Sequence, residues 1–453
     1  MATILSVLTG IVILLVLILI LRIPAFISLL ISSILTGLLA GLDGTKIVTT
    51  VQNGMGSTLG FVAIVVGLGA MFGAILEKSK GAEAIASFLT QKMGIKNAPA
   101  SILITGFVVA IPVFFDVAFI ILIPVIYALQ RKTKKSLLLY AIPLLAGLAI
   151  THAFIPPTPG PVAVADIIKA DLGWVIITGF LAGIPTAIVS GLLFGKYIAG
   201  KIHISAPNIS GAQNENRDQS FHYAQEKSFP NIGLIFSIIL IPIMLILLGT
   251  MVKSGIITVD NTRAQNAIAL LGHPFSALII ANIIVWYALG IGRGYSSKEL
   301  FRITSKSMEP AGTIILLTGA GGVFKQVLVE TGAGEIIANT FVDWNFPIIV
   351  FGFLAAAVIR ILQGSATVAM ITAAGLVFPI LASIDYSQGQ LAAIVIAIAS
   401  GASILSHVND SGFWLVKEYI GMDEKQTFRS WTMMTTILAF TGFICASVLF
   451  MIF

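Results

Sequence analysis

The chain has 453 residues, of which 57% are hydrophobic and only 10% charged, with a mean hydropathy of +1.02. A soluble protein of this length needs far more charge to cover its surface, so the composition defines an all-α polytopic membrane protein. The net charge of +6 gathers in short loops, which is an orientation signal and not a nucleic-acid-binding surface, and the single cysteine, Cys445, excludes an internal disulfide or a CxxC site.

In chain order, Thr3–Leu21 reads as a first span. It has no positive n-region and no small-residue cleavage site, so it is expected to stay as an anchor. Ala25–Leu42 follows Arg22 and Pro24. Gly54–Leu76 is rich in glycine, which lets a neighbouring helix come close. Glu77–Lys96 alternates charged residues with Ile85, Phe88 and Leu89 and reads as an amphipathic interfacial helix. Pro99–Leu129 is apolar but is interrupted by Pro112 and Asp116, and a buried acid in such a run is costly unless it faces protein or water. Ala141–Asp171 begins and ends like a membrane helix, yet prolines 156, 157, 159 and 161 forbid a continuous helix through its middle. Leu172–Phe194 is a further span.

Lys196–Ser228 is hydrophilic and reads as a linker between residues 1–195 and 229–453; His203 and His222 in it read as surface histidines. The second half opens with Pro230–Met251 and Asn266–Leu289. It continues with an amphipathic stretch, Arg293–Met308, then a glycine-rich span, Glu309–Val327, that holds Lys325 near an interface. Thr331–Phe346 reads as a surface stretch. Pro347–Pro379 is apolar and broken at Arg360–Thr367. Gln390–Ile420 is broken at Ser406–Gly412, and Trp431–Phe453 is the last span.

The halves echo each other. Gly67–Ala86 aligns without gaps on Gly319–Ala338, with identities at Gly67, Gly69, Leu76, Glu83, Ile85 and Ala86. Thr105–Phe107 then resembles Phe351–Phe353, and Thr151–Phe154 resembles Ser406–Asn409. Internal symmetry of this kind is a mark of secondary transporters. If the runs at Pro99–Leu129 and Pro347–Pro379 are re-entrant hairpins, ten spans remain and the basic loops all fall on one side. That side is then cytoplasmic, both termini lie outside, and the two halves are inverted copies.

Backbone broken at membrane depth must be buried in protein or line a cavity. Helix ends there offer free amides that suit a carboxylate. The candidate binding or coupling residues are therefore Asp116, Thr151, His152, Thr158 and Gly160 in the first half. In the second they are Gln363, Gly364, Ser365, Thr367, Ser406, His407, Asn409, Asp410 and Ser411. Their hydroxyl and amide groups can exchange hydrogen bonds with a polyhydroxylated solute. Arg360 either neutralises an anion or supports a hairpin tip. Asp116, Asp410, His152 and His407 are the titratable groups in the breaks and the candidate proton carriers. Each histidine equally suits a plain structural tie. No Walker A sequence, HExxH motif or serine-hydrolase arrangement accompanies them, which argues against an enzyme and against ATP as the driving force.

Several segments together resemble the gluconate permease family, GntP-type transporters of bacterial inner membranes. They are Gln52–Phe61, Gly67–Ala86, the FFDVAF run Phe114–Phe119, THAFIPPTPGP at Thr151–Pro161, GSATVAM at Gly364–Met370 and SHVNDSGFW at Ser406–Trp414. The resemblance spans essentially the whole chain. It implies uptake of gluconate or a related sugar acid coupled to protons, with no other cofactor, and an elevator-type fold in which a scaffold carries the dimer contact. It implies that the tip and break residues named above move the solute. It leaves D-serine, idonate and fructuronate open as solutes, and broken helices by themselves also fit a channel or facilitator.

Overall fold

The computed structural model describes residues 2–206, 229–331, 347–381, 384–408 and 410–453, and every regular element among them is a helix. These are α1 (Ala2–Leu15), α2 (Ala25–Leu39), α3 (Gly44–Lys78), α4 (Gly81–Met93), α5 (Ala98–Val109), α6 (Phe115–Thr133), α7 (Leu138–Phe154), α8 (Pro159–Ile168), α9 (Leu172–Ala187) and α10 (Phe194–Lys201). After the linker come α11 (Ile232–Lys253), α12 (Thr262–Leu271), α13 (Pro274–Val285), α14 (Ser297–Glu330), α15 (Ile348–Gln363), α16 (Ala366–Leu381), α17 (Gln388–Gly401), α18 (Ser411–Ile420), α19 (Glu424–Thr427) and α20 (Met433–Ile452). Seven segments among the described residues are long and apolar enough to cross a bilayer; α2, α15, α16 and α17 are shorter apolar helices.

The two longest helices, α3 and α14, pack against each other. Lys46 near the start of α3 pairs at 3.4 Å with Glu330 at the end of α14, so they run antiparallel. Glycine makes the contact possible: a Cβ added to Gly54 would lie 2.8 Å from the Gly322 carbonyl oxygen. Without a hydrophobic drive between helices in lipid, such close backbone approach supplies the dispersion energy that holds them together. The outer faces of this pair meet the broken elements. Gly73 of α3 abuts Pro112 in the turn between α5 and α6, and Gly321 of α14 abuts Ile371 of α16.

The interrupted runs appear as helix pairs. Residues 110–114 join α5 to α6, and Gly364–Ser365 join α15 to α16. Gly364 has φ +88°, which an L side chain rarely adopts, so glycine is what lets α15 stop and α16 start at once. Each first arm lies on a helix that itself ends in a break. A Cβ at Gly106 of α5 would come 2.6 Å from the Leu144 carbonyl of α7, and one at Gly352 of α15 would come 3.1 Å from Ile398 of α17. These are the two glycines that the short sequence match pairs.

Four boundaries differ from the sequence reading. Arg293–Met308 and Glu309–Val327 are not separate elements: α14 runs unbroken from Ser297 to Glu330, started by a capping box between Ser296 and Glu299. Asn266–Leu289 is not one span, because Gly272 and His273 turn the chain and the His273 ring accepts the Phe275 amide at 3.3 Å to start α13. In the Glu77–Lys96 stretch, α3 runs on to Lys78, and α4 buries Ala82, Ala84, Ile85 and Ala86, packing on α5 and α6. The expected linker starts later than Lys196: α10 reaches Lys201, and Ile204 accepts the Leu137 amide at 2.7 Å. His203 is exposed, as expected; His222 and most of Thr331–Phe346 lie outside the described residues.

Candidate functional site

The four interruptions border one half-open cavity of about 570 Å³. The first turns of α6, α8, α16 and α18 all contribute to its lining: Phe115, Asp116 and Val117; Gly160; Ala366 and Thr367; Ser411 and Gly412. The first amides of a helix have no acceptor within it, and each helix start carries roughly half a positive charge. Four starts around one cavity therefore turn positive helix ends toward it; Ser365 and Asp410 cap α16 and α18, which leaves the uncapped starts of α6 and α8 to offer backbone amides. In α8 the prolines at 159 and 161 carry no amide proton, so Gly160 between them is the donor left at that end. It has no Cβ, and one added there would lie 2.6 Å from the Met370 sulfur.

In the first half, Asp116 is exposed to the cavity and has no hydrogen bond among the described residues. His152, in the last turn of α7, lines the same cavity. Its Nδ1 is buried without a partner, and Phe114 meets its ring edge-on at 6.3 Å. Phe114 and Val117 also border a second cavity of about 670 Å³ lined by Glu77, Arg302 and Lys306, so the first tip is a thin wall between two spaces.

The second half is tied together. Asp410 caps α18 by accepting the Gly412 amide at 3.0 Å. Its other oxygen accepts from Ser406 Oγ and from Arg360 Nη2. Arg360 Nη1 donates to the Gly364 carbonyl, so the guanidinium holds the tip and the carboxylate together. Ser406 Oγ accepts in turn from Trp431 Nε1 at 2.6 Å, and Thr432 Oγ1 donates to the Ser406 carbonyl at 2.5 Å. Ser365 caps α16 by accepting the Val368 amide at 3.3 Å, while the Gln363 side chain accepts the Ser365 amide at 3.0 Å.

Of the residues expected from sequence, the structure brings Asp116, His152, Gly160, Gln363, Gly364, Ser365, Thr367, Asp410 and Ser411 to this one cavity, together with Arg360. Four others support it from behind. Thr151 donates to the Phe107 carbonyl at 2.9 Å, Thr158 closes the α7–α8 break by donating to Ile155 at 2.6 Å, and Ser406 is sealed in the network. His407 turns its Nε2 to the Ile361 carbonyl at 2.9 Å. Asn409 lies outside the described residues. The sequence reading missed Phe114, Phe115, Ser403, Trp431 and Thr435 as lining residues. Trp431 carried a usable signal, being an indole at the start of a span, where its N–H needs a partner.

The arrangement holds two carboxylates, one guanidinium, four helix starts and several hydroxyls around a space large enough for a small organic acid; small-molecule sites run roughly 300–1,000 Å³. Comparison with known proteins agrees with a transport role. The sequence matches the GntP family permease profile over residues 2–452. It is 39% identical to the low-affinity gluconate transporter of Escherichia coli K12 over 405 residues, covering 89% of this chain and 88% of that one. It is 39% identical to the gluconate permease of Pseudomonas aeruginosa (88% and 86% covered) and 36% identical to that of Bacillus subtilis (88% of each). Among solved structures, the YdaH transporter of Alcanivorax borkumensis superposes with a TM-score of 0.61 at 15% identity, over 91% of this chain and 89% of that one. MtrF of Neisseria gonorrhoeae superposes with 0.56 at 16% identity (91% and 85%). The chain belongs to the GntP permease family and is a multi-pass membrane transporter, not an enzyme.

Proposed function

We propose that this member of the GntP permease family carries gluconate, or a closely related sugar acid, across the inner (plasma) membrane together with protons. The observation that carries this reading is the convergence of four helix starts on a cavity that also presents Ser365, Thr367 and Ser411. Backbone amides suit the carboxylate, and hydroxyls suit a polyol chain. Curated relatives at 36–39% identity are named as gluconate transporters or permeases. Asp116, free of hydrogen bonds in the cavity, is the proton carrier: neutralising it lowers the charge that must cross with the anion. Residues 1–206 and 229–453 act as inverted halves joined through 207–228. Their tips and breaks move together against a scaffold containing α3 and α14, which carries the contact of a homodimer, and both termini face outward.

A second reading is D-serine. Asp116 has no cationic partner among the described residues, and an amino group would supply one.

Purified protein in liposomes tests both. Radiolabelled gluconate should accumulate under an inside-alkaline pH gradient, collapse with a protonophore and resist unlabelled D-serine, and Asp116→Asn should lose accumulation. Competition by D-serine would transfer the reading to the amino acid. Flux that never exceeds equilibrium would overturn symport in favour of a facilitator.

A further inference from the structure

Arg360 is 5% exposed in the cavity wall, and its nitrogens are unequally engaged. Nη1 donates to the Gly364 carbonyl and Nη2 to Asp410, while Nε is buried with no acceptor among the described residues. An unmet donor at this burial is costly. A guanidinium holds a carboxylate best through two parallel N–H groups, and the Nε–Nη2 edge is such a pair. Asp410 occupies half of that edge; the other half, Nε, is unpaired among the described residues and closed off from the cavity with Asp410 in place.

We infer that the Nε–Nη2 edge of Arg360 is the seat of the substrate carboxylate, and that Asp410 holds the seat until the substrate displaces it. The inference rests on the solute being a carboxylate, as in the function proposed above. Arg360 stays anchored throughout by its bond to Gly364, so only one of its partners changes. Asp410 keeps the Gly412 amide and the Ser406 hydroxyl when it lets go. Asp116 from α6 and His152 from α7 are the other titratable groups facing this space, and His407 is turned away onto Ile361. Two resident carboxylates and an incoming one against a single guanidinium leave a negative excess. A proton taken by Asp410 turns the carboxylate into a neutral acid, removes part of that excess and ends its competition for Arg360. Substrate binding then takes up a proton at Asp410, apart from any carried by Asp116.

The test uses purified full-length protein in detergent, radiolabelled gluconate and D-serine as alternative carboxylates, neutral sorbitol as the control, and a pH dye to read proton uptake. Wild type should bind a carboxylate and not sorbitol, take up protons on binding, and lose about tenfold in affinity per pH unit above its midpoint. Arg360→Gln should lose about a hundredfold in affinity, and Arg360→Lys should recover part of it, because a point charge lacks the fork. Asp410→Asn keeps an acceptor for the Gly412 amide, and should bind with a flatter pH profile and less proton uptake. Binding by Arg360→Gln within about threefold of wild type would overturn the seat. Wild-type pH dependence and proton uptake in Asp410→Asn would overturn the displacement. Should Asp410→Asn not fold, wild-type binding without proton uptake overturns it instead. Arg360-dependent binding of D-serine but not gluconate sinks the sugar-acid reading and keeps the seat; no carboxylate binding at all sinks both.

Discussion

The two tips meet at the same cavity but are built in opposite ways. The first, residues 110–114, is short of polar support: Asp116 beside it has no hydrogen bond among the described residues, and Phe114 separates two cavities. The second is braced by a chain of partners, Trp431 to Ser406 to Asp410 to Arg360 to Gly364. Linked polar side chains of this kind restrain one another's geometry. A carboxylate without partners is free to change its charge or its ligand. One tip is therefore a linked frame in which the Arg360–Asp410 contact alone is proposed to change, and the other holds a carboxylate with no hydrogen bond among the described residues. Trp431 links them, packing at a tilt of 36° against Phe115 of the first half with centroids 5.7 Å apart while it donates to Ser406 of the second.

Unfolding of detergent-solubilised variants tests this asymmetry on one scale. Trp431→Ala removes a large side chain that is 4% exposed, together with its bond to Ser406, and should cost about 3–5 kcal/mol. Ser406→Ala leaves both the indole N–H and Asp410 short of a partner, and should cost about 2–3 kcal/mol. Its counterpart in the first half, Thr151→Ala, loses one bond to Phe107 and should cost about 1 kcal/mol. Asp116→Asn should stay within about 0.5 kcal/mol of wild type while transport is lost. A Ser406→Ala cost no larger than that of Thr151→Ala would erase the contrast. An unfolding shift in Asp116→Asn as large as that of Ser406→Ala would show that the first tip is braced after all.

Much of this was legible in the sequence because the breaks use residues that fail in a lipid-exposed helix. Four prolines within Pro156–Pro161, an acid inside FFDVAF and glycine in RILQGSAT each mark a place where backbone must leave a helix. Which side of a break faces the solute was less legible. Thr151 and Ser406 look like ligands by type, yet a nearby carbonyl or a neighbouring side chain satisfies them first. The Thr151–His152 and Ser406–His407 pairs also differ in setting. The first lies in the last turn of α7, the second in the extended stretch after α17, so similar letters place their side chains differently. Trp431 and Thr435 were missed because they reach the cavity from α20 and the turn before it, far along the chain from either break. Continuous α14 was hidden by charge: its first turns carry Lys298, Arg302 and Lys306, which imitate a surface helix until packing against α3 is known.

The length of α3 and α14 bears on the surrounding bilayer. Helices of 35 and 34 residues extend about 50 Å at 1.5 Å per residue, against about 30 Å of hydrocarbon. Standing upright they would project well beyond the acyl chains, and sinking fully would require a steep tilt. Their glycine crossing and the Lys46–Glu330 pair bind them together, so neither can adjust its inclination alone. Membrane thickness thus acts on the pair as one rigid strut. Vesicles of short- and long-chain phosphatidylcholine should shift its tilt as a unit, and with it the slope of the surface that Pro112 and Ile371 rest against.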